Sequence, residues 1–260
     1  MLFYNALIGS TENTTLPPPS NVEPIRMLVI GDSIGNGTNE IYPEPDTDDS
    51  IQGIAGADTL YEWDGSTLQE RVRDTIGSNN GSQYPSLAIK LKQLTGRVTH
   101  IVETAIGGAE FSANGDDRNY SIYGYMYGDA VVKSNSYLNN QGVSGFDLIK
   151  ITLGINDARG SAALSNIELD AISLIDRLNS DFPNTPIVIN QLGKSSAAYS
   201  RVTAIRGYID DLVANYSNVY AGKDLNLYPE SYYFDGLHLS QQYNNVFGEE
   251  DAIIINTSIF

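Results

Sequence analysis

Short apolar runs alternate with stretches of helical period between residues 25 and 215, and this rhythm constrains the fold more than any other feature. "IRMLVI" (25–30), "VTHIVET" (98–104), "FDLIKITLG" (146–154) and "TPIVINQLG" (185–193) read as strands. Among them, "YPSLAIKLKQLTG" (84–96) spaces Leu87, Leu91 and Leu94 along one helix face and stops at a glycine. Residues 165–183 place Ile167, Ala171, Leu174, Ile175 and Leu178 on one face, with Pro183 just past the end. Residues 199–215 do the same with Val202, Ile205, Ile209 and Leu212. Strands alternating with helices predict βαβ units, and therefore a mostly parallel sheet covered on both faces. A chain of 260 residues can bury such a core in one domain, read here as residues 25–260. Residues 1–24 read as an N-terminal appendage whose "STENTTLPPPSNVEP" (10–24) is a polar, proline-rich linker.

Two stretches break the rhythm. Residues 36–83 and 109–145 are rich in Asn, Gly, Asp and Tyr and poor in periodic apolar positions, so both read as long loops. Each follows the carboxyl end of a predicted strand, where open α/β sheets bind ligands. The segment "DAIIINTSIF" (251–260) reads as an edge strand or a partner-binding tail.

Charge and composition exclude several functions. With 15 basic and 32 acidic residues the net charge is −17, which repels phosphate backbones and anionic membranes. Nucleic acid and membrane insertion are therefore not expected, and a neutral substrate fits better. The absence of cysteine removes disulfides, thiolate metal sites and a cysteine nucleophile. The opening "MLFYNALIGSTENTT" has neither the basic region nor the apolar length of a signal peptide, and the compartment stays open. "GNGTNE" has Glu40 where a dinucleotide fingerprint needs its third glycine. "DTDDS" lacks the central glycine and terminal glutamate of a calcium loop, so its acids read as solvated surface. No His/Cys cluster points to zinc, and neither a cofactor nor a catalytic metal is expected.

A hydroxyl becomes a nucleophile when a base takes its proton and a third group fixes the base. The chain has only two histidines. His100 lies within a predicted strand and reads as structural. His238 lies in "FDGLHLS", where Asp235 is three residues earlier and can reach the imidazole Nδ1–H from one turn. "VIGDSIGNG" (29–37) places Ser33 directly after the first strand. "LGIND" (153–157) offers the Asn156 amide, which can aim N–H donors at an oxyanion, and "AIGGAE" (105–110) offers a glycine N–H. Each patch alone reads equally well as a turn. Together they fall at strand ends or in the C-terminal loop, which coincidence explains poorly.

In these blocks the chain resembles the SGNH (GDSL-type) hydrolases. "GDS" (31–33), "AIGG" (105–108), "GIND" (154–157) and "DGLH" (235–238) match that family's four blocks in order. The resemblance implies a three-layer α/β/α sandwich with a flavodoxin-like, mostly parallel sheet and long loops at the active-site end. It further implies Ser33 as nucleophile, His238 as base and Asp235 as its orienting acid. The implied oxyanion donors are the Ser33 N–H, the Gly108 N–H and the Asn156 side chain, with Gly107 the alternative to Gly108. Asp32 and Asp157 are expected to brace their loops. The family often carries Asn shortly before the glycine block, and here that place holds Glu103.

"GDSIG" also satisfies the G-x-S-x-G elbow of α/β-hydrolases. Against that architecture, Ser33 follows the first strand of the domain with no earlier strands to build a central sheet, and acid and base are only three residues apart. The expected activity is metal-independent hydrolysis of short acyl, above all acetyl, esters on a small molecule or polysaccharide. Lipase, arylesterase or thioesterase activity is the alternative within the family. A non-catalytic glycan-binding, adhesin-like module is the alternative outside it. The tyrosines of "NYSIYGYMYGD" (119–128) suit sugar faces and core packing alike. The composition suits a secreted or virion-associated protein.

Overall fold

The computed structural model describes residues 22–36, 58–71, 82–115, 117–193 and 199–260. Strand β1 (Ile25–Gly31) pairs in parallel with β4 (Thr99–Glu103) on one side and β5 (Leu148–Thr152) on the other. The sheet continues through β6 (Ile187–Gln191) and β7 (Val219–Asp224) at one end. At the other end lie β2 (Leu60–Trp63) and β3 (Leu68–Glu70). The order is β3-β2-β4-β1-β5-β6-β7, with only the β2–β3 pair antiparallel among the described strands.

Alternation along β1 divides the core into two layers. Met27 and Val29 face one side, with Ile101, Leu148 and Val188. That side is covered by helix α2 (Tyr84–Thr95), through Leu87 and Leu91, and by α7 (Gln241–Ile259), through Ala252 and Ile255. Leu28 and Ile30 face the other side, with Val102, Ile149, Ile151, Ile187 and Ile189. There they meet α3 (Met126–Gln141), α5 (Leu164–Asp181) and α6 (Tyr199–Asn215). This is the expected three-layer sandwich. The apolar faces anticipated for α5 and α6 are the faces it buries, from Ile167 to Leu178 and from Val202 to Leu212.

Four expectations need correction. The stretch 109–145 is not loop throughout, because α3 occupies its second half and buries Met126, Ala130, Tyr137 and Leu138. Residues 36–83 contain the β2–β3 pair, which extends the sheet beyond β4. The segment 251–260 is neither strand nor free tail; Asp251 to Ile259 complete α7, against α2 and the sheet. Leu94, assigned to the apolar face of its helix, is exposed. The linker at 10–24, apart from its last three residues, and the acids of "DTDDS" lie outside the described residues.

A buried ion pair fixes α7 to the sheet. Lys150 on β5 reaches Asp251 at 3.0 Å, with both side chains almost fully enclosed. Asn190 Nδ2 donates to the same carboxylate, and the ammonium lies over the rings of Tyr84 and Phe247. No described helix is long and apolar enough to cross a membrane.

Candidate active site

The carboxyl ends of β4, β1 and β5 lie side by side, where the chain after β1 goes to both sides of the sheet. Such a reversal opens a crevice above the strand ends. Ser33 stands at the end of β1, as the first residue of a four-residue helix, α1 (Ser33–Asn36), and is almost completely buried. Both glycines of "GDSIG" are needed for this packing. A Cβ on Gly31 would come within 2.5 Å of the Thr152 carbonyl oxygen, and one on Gly35 within 2.8 Å.

From the far end of the sequence, the loop after β7 brings His238 to Ser33, with Oγ and Nε2 2.8 Å apart. The other ring nitrogen, Nδ1, lies 2.7 Å from Asp235 Oδ2. Asp235 Oδ1 accepts the N–H groups of Leu237 and His238 at 2.9 and 2.7 Å, so Asp235 and His238 form one closed turn. An antiparallel bridge between Tyr233 and Leu239 flanks the turn, and the Tyr233 hydroxyl donates to the Leu225 carbonyl at 2.6 Å. Partial burial raises the Asp235 carboxyl, but the His238 amide and ring and the Leu237 amide outweigh it, leaving the pKa below the usual carboxylate value. Phe234 stacks along the imidazole.

The glycine block forms a tight turn, closed by the Ala109 N–H donating to the Ile106 carbonyl at 3.1 Å. Gly108 has φ +84°, a conformation that side chains disfavour. Gly107 borders Ser33; a Cβ there would lie 3.8 Å from Ser33 Cβ. Two adjacent residues after β5 hold this segment. Asn156 Nδ2 donates to the Ala109 carbonyl at 3.1 Å, and Asp157 accepts the Phe111 and Ser112 N–H groups at 2.8 and 3.0 Å. Asn156 is the second residue of a five-residue helix, α4 (Ile155–Arg159).

Asp32 and Asp157 brace their loops as expected. Asp32 accepts the Ile34 N–H at 2.9 Å across the turn that carries Ser33. Burial pushes both carboxyls up to about 7, against the amides that bond to them. His100 is structural, with Nδ1 3.0 Å from the Tyr137 hydroxyl and its pKa lowered to about 4 by burial. Glu103 ends β4 and is buried. The tyrosines of 119–128 divide, with Tyr120 and Tyr127 buried and Tyr123 and Tyr125 exposed. Among the described residues no cluster of three His, Cys, Asp or Glu side chains could hold a metal ion.

One residue beside the site had no signal in the sequence. Arg118 NH1 donates to the Gly107 carbonyl at 3.3 Å. It lies in no motif, and the pairing of Glu110 with Asn119 brings it to the glycine turn.

No family model matches the chain, and no curated protein matches it by sequence. Solved structures do match it by shape. A protein from Arabidopsis thaliana superposes with a TM-score of 0.70 at 16% identity, covering 90% of this chain and 98% of that one. A carbohydrate acetylesterase from Xanthomonas citri gives 0.57 at 14%, over 90% of this chain and 56% of that longer one. A protein described as a GDSL-like lipase, from Parabacteroides merdae, gives 0.56 at 16%, over 92% and 99%. With its sheet order, its two helical layers and these likenesses, the chain has the three-layer α/β/α fold of the SGNH (GDSL-type) hydrolases.

Proposed function

We propose that this protein is a serine esterase that removes short acyl groups, above all acetyl, from carbohydrate, with residues 25–260 as its catalytic domain. The observation that carries the reading is the continuous chain from Ser33 Oγ through the His238 ring to Asp235, with links of 2.8 and 2.7 Å. In this mechanism Ser33 Oγ attacks the ester carbonyl while His238 Nε2 takes its proton. Asp235 stabilises the imidazolium and holds its tautomer. The negative charge on the carbonyl oxygen is met by the N–H groups of Ser33 and Gly108 and the Asn156 side chain. Collapse expels the alcohol, which takes the proton from His238. Water, deprotonated by the same ring, then attacks the acyl-Ser33 ester and releases the acid.

Gly108 is favoured over Gly107 as donor by the turn itself. A trans peptide directs its C=O and N–H to opposite sides. The Gly107 carbonyl faces Arg118, so the Gly108 N–H points away from that side chain. Carbohydrate as the alcohol part is supported by the likeness to a carbohydrate acetylesterase and by the exposed rings of Tyr123 and Tyr125.

The test is hydrolysis of p-nitrophenyl acetate by wild type and Ser33→Ala, both checked to be folded, with EDTA present. Wild-type turnover that vanishes in the variant is expected. Equal turnover in both rejects the mechanism, and none in either favours a glycan-binding module. Faster turnover of long-chain than of acetyl esters would move the substrate from carbohydrate to lipid.

A further inference from the structure

We infer that Arg118 is a positioning residue for the oxyanion site, polarising the Gly107–Gly108 peptide so that its N–H becomes a stronger donor. The inference rests on the esterase reading above and concerns the same site. Two contacts join Arg118 to this peptide. Its NH1 donates to the Gly107 carbonyl at 3.3 Å. Its guanidinium also lies against Gly108; a Cβ there would meet NH1, Cζ and NH2 at 3.2, 3.5 and 3.7 Å. The φ of +84° itself disfavours a side chain at 108, and a Cβ there would require the guanidinium to give by a few tenths of an ångström.

The backbone on both sides of the contact is tied down. The Glu110 N–H donates to the Arg118 carbonyl at 3.2 Å, and the Tyr120 N–H donates to the Glu110 carbonyl at 2.9 Å. The neighbouring Asn119 is buried, and its Oδ1 accepts from the Ser121 hydroxyl at 2.6 Å. Arg118 therefore projects from a fixed segment onto a fixed turn.

A peptide group is conjugated from oxygen to nitrogen, so a cationic donor on the oxygen draws electron density from the nitrogen. The N–H on its far side then carries more positive charge and bonds more strongly to an anion. The benefit is largest when the substrate oxygen becomes an oxyanion, so it appears in turnover more than in binding.

Arg118→Gln keeps a neutral donor, whereas Arg118→Lys keeps the charge. With p-nitrophenyl acetate, Arg118→Gln is expected to lower kcat about tenfold with KM changed less than about twofold, and Arg118→Lys to retain most of kcat. Affinity for an alkylboronic acid, which forms a tetrahedral adduct on serine, is expected to fall by the same factor in Arg118→Gln. Equal losses in both variants, a loss confined to KM, or unchanged boronate affinity overturns the inference. If Arg118→Gln fails to fold, Arg118→Ala with added guanidinium takes its place; restored kcat is expected, and no restoration overturns the inference. Ser33→Ala is assayed alongside. Its inactivity, with Arg118→Gln at full rate, removes the Arg118 role alone. Full activity of Ser33→Ala removes the esterase reading and this inference with it.

Discussion

The Thr152 carbonyl oxygen lies 2.5 Å from the point a Cβ on Gly31 would occupy, so the end of β5 presses directly on the residue two before Ser33. That oxygen also accepts the Asp32 N–H at 3.1 Å. Backbone on both sides leaves no flexible side chain to yield. Gly31→Ala is expected to destabilise the fold by about 1–3 kcal/mol. It should also cut esterase turnover further than that loss of stability explains, because Ser33, the proposed nucleophile, must itself move. Urea denaturation beside the p-nitrophenyl acetate assay separates the two effects.

Asp235→Asn is a near-isosteric change, and its oxygen can still accept the Leu237 and His238 amides. It cannot hold the proton on His238 Nδ1 or stabilise the imidazolium. Turnover should fall on the order of 10³- to 10⁴-fold with the fold intact. Steady-state kinetics with circular dichroism checks both halves of the expectation.

How much of this was legible in the sequence depended on local chemistry. The D-x-x-H and G-x-N-D blocks were readable only together with the serine and glycine blocks, because each alone reads equally well as a turn. Strand β7 was not, because "VYAGKD" is an edge strand with one buried apolar residue and no apolar run. Helix α3 was hidden by its Ser, Asn and Gly content; packing of Met126, Tyr137 and Leu138 holds it, not propensity. "AIIIN" reads as strand by its β-branched residues, yet burial of Ala252 and Ile255 makes it helix. Arg118 was invisible because the contact that brings it to Gly107 joins residues 11 apart through a bridge with no sequence signature.

Lys150→Met should destabilise by about 3–5 kcal/mol, since it strands the buried Asp251 carboxylate. The double variant Lys150→Met/Asp251→Leu should recover most of that loss. Comparison of the three proteins by urea denaturation decides it. A single variant as stable as wild type would show that the pair does not anchor α7.

Asp32 supplies a pH dependence whose sign is fixed. Burial raises its carboxyl from 3.8 to about 7, so the folded state holds the proton more tightly than the unfolded chain. The associated stability is complete below the ordinary carboxylate pKa and is lost as pH rises through about 7. Relative to Asp32→Asn, wild type should lose roughly 1.4 kcal/mol per pH unit between about pH 4 and 7. Denaturation of the two proteins at four pH values measures the slope, which is independent of any constant offset from the amide. Parallel curves would contradict the assignment.

Ser33 and His238 are 205 residues apart, while Asp235 and His238 share a single turn. During synthesis, the β1 end of the site leaves the ribosome early and stays inert until the turn at 235–238 has emerged. Helix α7, which follows that turn, is locked to β5 by Lys150 and Asp251. In the proposed mechanism, competence for chemistry thus arrives late on the nascent chain, with Asp235 and His238 in one step, and a polypeptide interrupted before that turn carries Ser33 without its base.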